Sequence, residues 1–203
     1  NDNNHWLINR ADLISKLRKE YSKKIELILI KDLEKLGLAD SQIKFVFNDL
    51  DNLNYYGKDS LELLFSANRG HDLKPMHKVA SGGELSRLML CIKKHLYSIR
   101  KSSTIIFDEI DSGVSGEIAE KFGLFIKDIS KKQQVIAITH LPQIASISKN
   151  HYKVFKNDIE ESKIETKIIL LDEKSRVLEL ARLLSGEEIS EQAIANAKKM
   201  LNI

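Results

Sequence analysis

Two short apolar segments, each followed by residues capable of chemistry, constrain the fold of this chain more than any other feature. Residues 104–107 are followed by Asp108 and Glu109, and residues 135–139 are followed by His140. Brief apolar runs separated by helical patterns are typical of buried parallel strands in α/β proteins. Parallel strands end at the same edge of a sheet, where α/β proteins place their ligand sites. The two segments therefore predict an α/β fold with polar residues gathered at one sheet edge.

The start of the chain predicts one long amphipathic helix. Residues 6–36 contain neither proline nor glycine, and Gly37 follows as a C-terminal stop signal. Apolar side chains recur every three or four positions between charged ones: Ile14, Leu17, Tyr21, Ile25 and Ile28. The pattern fits a surface helix on a globular core, and it also fits the end of a coiled coil that enters a globular head. About two heptads are visible, fewer than the three or four that identify a coiled coil.

Strand and helix patterns fill the rest of the chain. Residues 43–47 and 60–65 predict strands on either side of a polar loop at about 49–58, and residues 84–97 predict a helix. The apolar face expected on that helix consists of Leu85, Leu88, Met89, Ile92 and Leu96. The later predicted elements are a helix at 115–130, a short helix at 142–148, a hairpin of 152–155 with 164–171, and closing helices at 173–184 and 190–201.

Composition excludes several classes of protein. The single cysteine, Cys91, rules out an internal disulfide framework and favours a reducing compartment. No segment approaches the roughly 18 uninterrupted apolar residues of a membrane span. A net charge of +3 does not by itself require nucleic acid. The paired basic residues indicate a solvated surface, with sequence-independent contact to phosphates as the alternative: Lys93, Lys94, Arg100, Lys101, Lys131 and Lys132.

The acidic pair and the histidine at the predicted strand ends each have two interpretations. Asp108 and Glu109 fit an ordinary solvated strand end, but such a pair also suits a site where one carboxylate positions Mg²⁺ and the next polarises a water. His140 fits a structural role as well as a catalytic one. The other five histidines show no metal-ligand spacing.

The segment Ser81-Gly82-Gly83-Glu84 stands at the start of a predicted helix. Ser81 with Glu84 three residues later fits a capping box, which is a purely structural role. The same helix N-terminus offers N–H groups, a hydroxyl and the positive end of the helix dipole to a phosphate. The only Gly-Lys pair, Gly57-Lys58, lacks the other residues of a P-loop, because Asn52 and Asp59 stand where Gly and Ser or Thr are required.

The order of these motifs gives the chain a family resemblance. Segments 79–87 (VASGGELSR), 106–116 (IFDEIDSGVSG) and 139–145 (THLPQIA) closely resemble the RecN family of bacterial SMC-like, ABC-type ATPases. Segments 65–70 and 171–186 also resemble that family. The resemblance implies the signature loop, Walker B, D-loop and switch histidine of an ATPase head, and the family's Walker A lies in an N-terminal segment ahead of the coiled coil.

The resemblance also implies a role for each motif residue. Asp108 is expected to organise Mg²⁺ through water, Glu109 to serve as general base, and His140 to contact the γ-phosphate in its own protomer. Ser81 and Gly83 are expected to contact the nucleotide of the opposite protomer. The full set of implied nucleotide-binding residues is Ser81, Gly82, Gly83, Glu84, Asp111, Ser112 and Gly113, with the D-loop running from 111 to 115. Arg87 fits the family pattern and equally a surface arginine, and Asn68 fits a pattern with no derived role.

The implied protein is therefore the C-terminal lobe of an ABC/SMC-type P-loop NTPase head, with a parallel sheet core and flanking helices. Residues 1–36 would be the end of a coiled-coil arm and residues 37–203 the lobe. The family acts in the cytoplasm, on the nucleoid, in recombinational repair of DNA double-strand breaks. Its implied ligands are ATP and Mg²⁺, and its implied partners are the Walker A segment, a second protomer and DNA, with no membrane. The alternatives are another SMC-like or ABC ATPase head, and a non-catalytic DNA-binding scaffold of the same fold.

Overall fold

The computed structural model describes residues 2–79, 81–99, 104–108, 114, 116–160 and 163–203. The chain forms two compact units, Asn1–Arg100 and Lys101–Ile203. Among the described residues, no helix combines the length and the apolar character needed to cross a membrane.

The first unit begins with the long helix that the sequence predicts. Helix α1 spans Asp2–Lys35 and ends in a Schellman arrangement at Gly37, whose φ is +80°. The N–H of Leu38 donates to the carbonyl of Leu33 at 2.9 Å, and the N–H of Gly37 donates to that of Glu34 at 3.1 Å. Because this turn requires a left-handed residue, glycine is the residue that allows the helix to stop here.

An antiparallel hairpin follows, formed by β1 (Gln42–Asn54) and β2 (Gly57–Ser66). The predicted polar loop at 49–58 is wrong, because the strands continue through it and only Tyr55 and Tyr56 form the turn. Pairing of Asn48 with Ser60 and of Asp49 with Asp59 extends the ladder past the apolar part of each strand. Strand β3 (Lys74–Pro75) adds a short third strand beside β2, and a 3₁₀ turn covers Met76–Lys78.

Polar contacts fix the hairpin on α1. The buried carboxylate of Asp59 accepts a hydrogen bond from the hydroxyl of Ser15 at 2.6 Å. It also forms an ion pair with Arg18 at 3.3 Å. About two turns beyond Arg18 on α1, the Glu26 carboxylate accepts a hydrogen bond from the backbone N–H of Phe45 at 2.7 Å. Apolar side chains fill the remaining contact: Leu29, Leu33, Leu36, Ile43 and Phe65 are all buried.

Helix α2 (Gly82–Ile99) packs against α1 with a different face from the one predicted. Leu88, expected in the core, is fully buried, but Leu96 from the same predicted face is 58% exposed. Arg87, Leu90 and Cys91, which lie outside the predicted face, are buried. The apolar periodicity of α2 alone does not determine its buried side, because polar contacts to α1 also contribute to the packing.

The second unit contains the parallel pair that the sequence predicts. Strands β4 (Ile105–Asp108) and β5 (Val135–Ile138) lie parallel, with Ile105 opposite Val135 and Asp108 opposite Ile138. Helix α3 (Gly116–Ser130) packs against β5 and connects the two strands. On the covered face, Ile105 and Phe107 are each only 1% exposed.

The other face of this sheet is apolar and uncovered in the described residues. Ile106, Ile136 and Ile138 are 57%, 46% and 52% exposed. Parallel sheets are normally covered on both faces. Three isoleucines on one open face therefore indicate a surface adapted to be covered.

The chain ends with a hairpin and two helices, as predicted. Strands β6 (Tyr152–Glu160) and β7 (Lys163–Leu170) pair antiparallel. Helices α5 (Glu173–Ser185) and α6 (Glu191–Leu201) are capped by Asp172 and Ser190. Helix α4 (Pro142–Ala145) is shorter than predicted. A small core joins these helices through Ala145, Val177, Leu180, Ala181, Ala193 and Ala197.

Helix α3 lies close to α4 and to the turn after it at Gly123. A Cβ at this position would lie 2.5 Å from the Cδ1 of Ile147 and 3.1 Å from the carbonyl oxygen of Gln143. We expect Gly123→Val to lower the free energy of unfolding by about 1–3 kcal/mol, because the isoleucine tip can turn away but the backbone oxygen has little freedom. Urea unfolding measures this change. Glu120→Val, at an exposed position of the same helix, controls for the introduction of valine, and equal midpoints in the two variants would contradict the prediction.

Candidate ATPase site

The C-terminal edge of the parallel sheet brings together two of the predicted site residues. Asp108 ends β4 opposite Ile138, and His140 follows only two residues beyond that partner. Both side chains are exposed. Beyond β5, the N–H of Leu141 donates to the hydroxyl of Thr139 at 3.0 Å, which fixes the turn after the strand. The same sheet edge therefore carries a carboxylate at the end of β4 and an imidazole just beyond the end of β5.

Asp108 also lies beside the uncovered face of the sheet. In a strand, alternate residues share a face, so Asp108 lies on the same face as Ile106 and next to its register partner Ile138. A segment that covered these isoleucines would reach the Asp108 carboxylate. This placement makes the carboxylate accessible both to solvent and to a covering element.

Several predicted site residues lie outside the described part of the chain: Glu109, Asp111, Ser112, Gly113 and Ser115. Their described neighbours are Val114, which is 5% exposed, and Gly116, which has a φ of +56° and begins α3. The roles implied for these five residues stay predictions.

The N-terminus of α2 contains the other predicted site residues. The Ser81 hydroxyl accepts the N–H of Glu84 at 3.4 Å, and the Ser81 carbonyl accepts the N–H of Leu85 at 3.1 Å. The capping interpretation therefore has a geometric basis, although its hydroxyl bond is long. A Cβ built on Gly82 would meet no described atom within 4 Å. The first turn of α2 is thus open at Gly82.

Arg87 is not a surface residue. It is 9% exposed, its Nε donates to the carbonyl of Gly83 at 3.0 Å, and its Nη1 donates to the carbonyl of Leu36 at 3.2 Å. Burial lowers the pKa of Arg87, and the nearby Glu84 carboxylate opposes that shift. Sequence alone could not choose between the two interpretations of Arg87, because its second partner lies 51 residues away.

A charge cluster around the buried Asp32 joins α1 to α2 two turns beyond Arg87. Asp32, which is 4% exposed, lies 2.8 Å from the Nε2 of His95, 3.2 Å from the ammonium of Lys94 and 3.1 Å from that of Lys35. Burial acts to raise the pKa of Asp32, but His95, Lys35 and Lys94 together hold that pKa below its usual value. Sequence reasoning missed this cluster, because only Asp32 and Lys35 are close together along the chain.

The remaining singled-out side chains have structural surroundings. Cys91 is fully buried, and burial raises the pKa of its thiol to about 12. The thiol is therefore protonated at neutral pH and packs inside the first unit. Of the paired basic residues, Lys94 contacts Asp32 and Lys131 contacts Asp128 at 3.2 Å.

Sequence comparison relates the chain to a group of DNA repair proteins. No family model matches it. It is 37% identical over 193 residues to the DNA repair protein RecN of Vibrio cholerae, and 34% identical over 203 residues to RecN of Bacillus subtilis. These matches cover 94% and 93% of the chain. The chain corresponds to the C-terminal portion of a RecN-family protein.

The chain spans about a third of the length of its RecN relatives, 34% for Vibrio cholerae and 35% for Bacillus subtilis. Its fold is that of an SMC-type head lobe. A chain solved in structural work on ATP-driven dimerisation and DNA-stimulated activation of SMC ATPases matches with a TM-score of 0.56 at 18% identity. The match covers 85% of this RecN-family chain and 99% of the solved one. The two chains therefore share this lobe over nearly the whole length of the solved chain.

Proposed function

We propose that this chain is the C-terminal lobe of a RecN-type ATPase head that works in the repair of DNA double-strand breaks by recombination. The observation that carries the proposal is the parallel register of β4 and β5, which brings Asp108 and His140 to one sheet edge. The RecN relatives support the repair process. The solved chain with a TM-score of 0.56, which comes from structural work on ATP-driven dimerisation of SMC ATPases, supports ATP-driven association of two heads.

The described residues fit ATP and Mg²⁺. The exposed carboxylate of Asp108 is the type of oxygen ligand that Mg²⁺ binds, commonly through water. The N-terminus of α2 is open at Gly82, and the N–H groups and dipole of a helix N-terminus favour a phosphate. Bound Mg²⁺ would neutralise charge on the transferred phosphoryl group.

Within this proposal each residue has a separate task. Asp108 would hold Mg²⁺ through water, and Glu109 would orient the attacking water and accept its proton. His140 contacts the γ-phosphate in its own protomer. Ser81 and Gly83 bind the γ-phosphate held by the opposite protomer, and residues 111–115 form the D-loop at that interface. Since two heads complete each site, ATP favours the closed pair and its hydrolysis releases the pair.

The uncovered isoleucine face supports a site built from more than this lobe. The 203 residues contain no Gly-x-x-x-x-Gly-Lys-Ser/Thr sequence, so the triphosphate cradle must come from elsewhere. We propose that the Walker A segment of the parent protein covers Ile106, Ile136 and Ile138. That arrangement would place its phosphate-binding loop beside Asp108, which borders the same face.

The exposed stripe of α1 supports its role as the end of a coiled-coil arm. Ile14, Tyr21 and Ile28 recur every seven residues and are 43%, 54% and 44% exposed. Residues 1–36 would then be the arm and residues 37–203 the lobe of the head.

The isolated chain tests the composite site. We expect it to bind ATP with a Kd above about 1 mM and to hydrolyse none measurably, because the Walker A lysine and backbone N–H groups hold most of the triphosphate. Adding the Walker A segment of the same parent protein as a separate chain should restore both activities. Calorimetric titration and phosphate release measure them.

A substitution on the isoleucine face sharpens this test. Ile136→Asp should block recovery by the added segment, because a charge would be buried under it. Leu124→Asp is the matched control, since Leu124 is 54% exposed on α3, which packs on the opposite face of the sheet. Tight ATP binding by the isolated chain, or normal recovery with Ile136→Asp, would contradict the proposal.

A further inference from the structure

We infer that Arg87 is a positioning residue that holds the Ser81–Gly83 loop in place by joining the first turn of α2 to the C-terminal end of α1. The functional meaning of this inference rests on the proposed role of that loop in binding the opposite protomer's nucleotide. The inference itself rests on the contacts of the Arg87 side chain.

The guanidinium of Arg87 connects two carbonyl groups from distant parts of the chain. Its Nε donates to Gly83 at 3.0 Å, and its Nη1 donates to Leu36 at 3.2 Å. Gly83 follows the proposed signature serine by two residues, and Leu36 directly follows the last residue of α1. A single side chain therefore sets the distance between the start of one helix and the end of the other.

Arginine is suited to this bridge for chemical reasons. The last carbonyls of a helix have no partner within the helix and carry the negative end of its dipole. A guanidinium is planar, stays charged when buried and offers several donors in a fixed fork. Lysine offers a compact ammonium on a flexible stem, so it keeps the charge but does not reproduce two bonds in fixed directions.

The Asp32 cluster provides a second, independent connection between the same helices. Asp32 contacts Lys94 and His95 about two turns further along α2 than Arg87. It does not touch the loop at 81–83 in any described contact. Packing of α1 on α2 and positioning of the loop can therefore be disturbed separately.

Amide hydrogen exchange on the 203-residue chain tests the inference. We expect Arg87→Lys to speed exchange of the Glu84 and Leu85 amides by about tenfold, because the first turn of α2 loses a charge-assisted bond that holds it. Amides in the middle of α2, at 88–92, should keep their rates. The control Asp32→Asn should leave Glu84 and Leu85 within about twofold of wild type, since it weakens only the distant connection.

Two outcomes would overturn the inference. One is unchanged exchange at Glu84 and Leu85 in Arg87→Lys. The other is equal acceleration of amide exchange along the whole of α2 in both variants, which would mean that Arg87 serves general packing.

ATP-dependent dimerisation, measured after the Walker A segment is added, separates this inference from the proposed function. Faster exchange of the Glu84 and Leu85 amides in Arg87→Lys, together with normal dimerisation, would uphold the positioning role of Arg87. The same result would contradict the nucleotide-binding role of the loop.

Discussion

Glu109→Gln, in the head reconstituted with its Walker A segment, should lower ATP turnover by roughly 10²–10⁴-fold while ATP binding is retained. The amide has nearly the shape of the carboxylate, but it cannot accept the proton of the attacking water. Because hydrolysis releases the closed pair of heads in the proposed function, the ATP-bound dimer should accumulate. Phosphate release measures the turnover, and light scattering with size-exclusion chromatography measures the dimer.

Glu117→Gln is the matched control for this loss. Glu117 is an exposed carboxylate in the first turn of α3, where it pairs with Lys121 at 2.7 Å. Its replacement should leave turnover unchanged. Turnover of Glu109→Gln within about threefold of wild type would exclude Glu109 as the general base.

Ser81→Arg should abolish nucleotide-dependent dimerisation while each head still binds its own ATP. A bulky cation would fill the open space before α2, where the opposite protomer's γ-phosphate has to approach the helix N-terminus. Ultracentrifugation with a non-hydrolysable ATP analogue measures the dimer. Ser60→Arg introduces the same charge at an exposed position of β2 and should dimerise normally.

Mixed dimers determine whether Ser81 acts across the interface. In a pair with one Ser81→Arg head, one composite site keeps both of its halves, so that site should survive. Loss of ATP binding by the single mutant head would place Ser81 at its own protomer's nucleotide and overturn the assignment across the interface.

Local patterns predicted most helices and strands but failed where distant contacts decide the structure. The run from Asn48 to Asn54 is polar except for Leu50 and Leu53, which do not alternate as in a strand. Pairing with the following strand nevertheless extends the ladder through Asp49. Asp59 likewise follows a polar stretch, and its burial depends on Ser15, 44 residues earlier. No window of sequence contains both members of that contact.

The buried face of α2 shows the same limit. Periodicity selects the apolar residues Leu85 to Leu96, whereas the packed side includes Arg87 and approaches Asp32 through Lys94 and His95. A buried arginine that bonds to carbonyl groups has no local signature. Its distant partner, Leu36, becomes identifiable only when α1 and α2 lie together.

The candidate site was predictable in part. The strand ends at Asp108 and His140 follow from apolar runs of four or five residues, and parallel pairing places them together. The RecN family and the SMC-type head fold are confirmed by the comparisons. The catalytic and nucleotide-binding roles stay predictions, and Glu109 and residues 111–113 lie outside the described residues.

The attachment of the hairpin also fixes the rotational phase of α1. Ser15, Arg18 and Glu26 contact β1 or β2 along three turns of the helix, so α1 cannot turn about its own axis without breaking these contacts. The azimuth of Ile14, Tyr21 and Ile28, which is their direction around the axis of α1, is thereby set relative to the hairpin. One residue inserted ahead of Ile14 would rotate everything N-terminal to it by about 100°. Seven inserted residues would restore the azimuth to within about 20°.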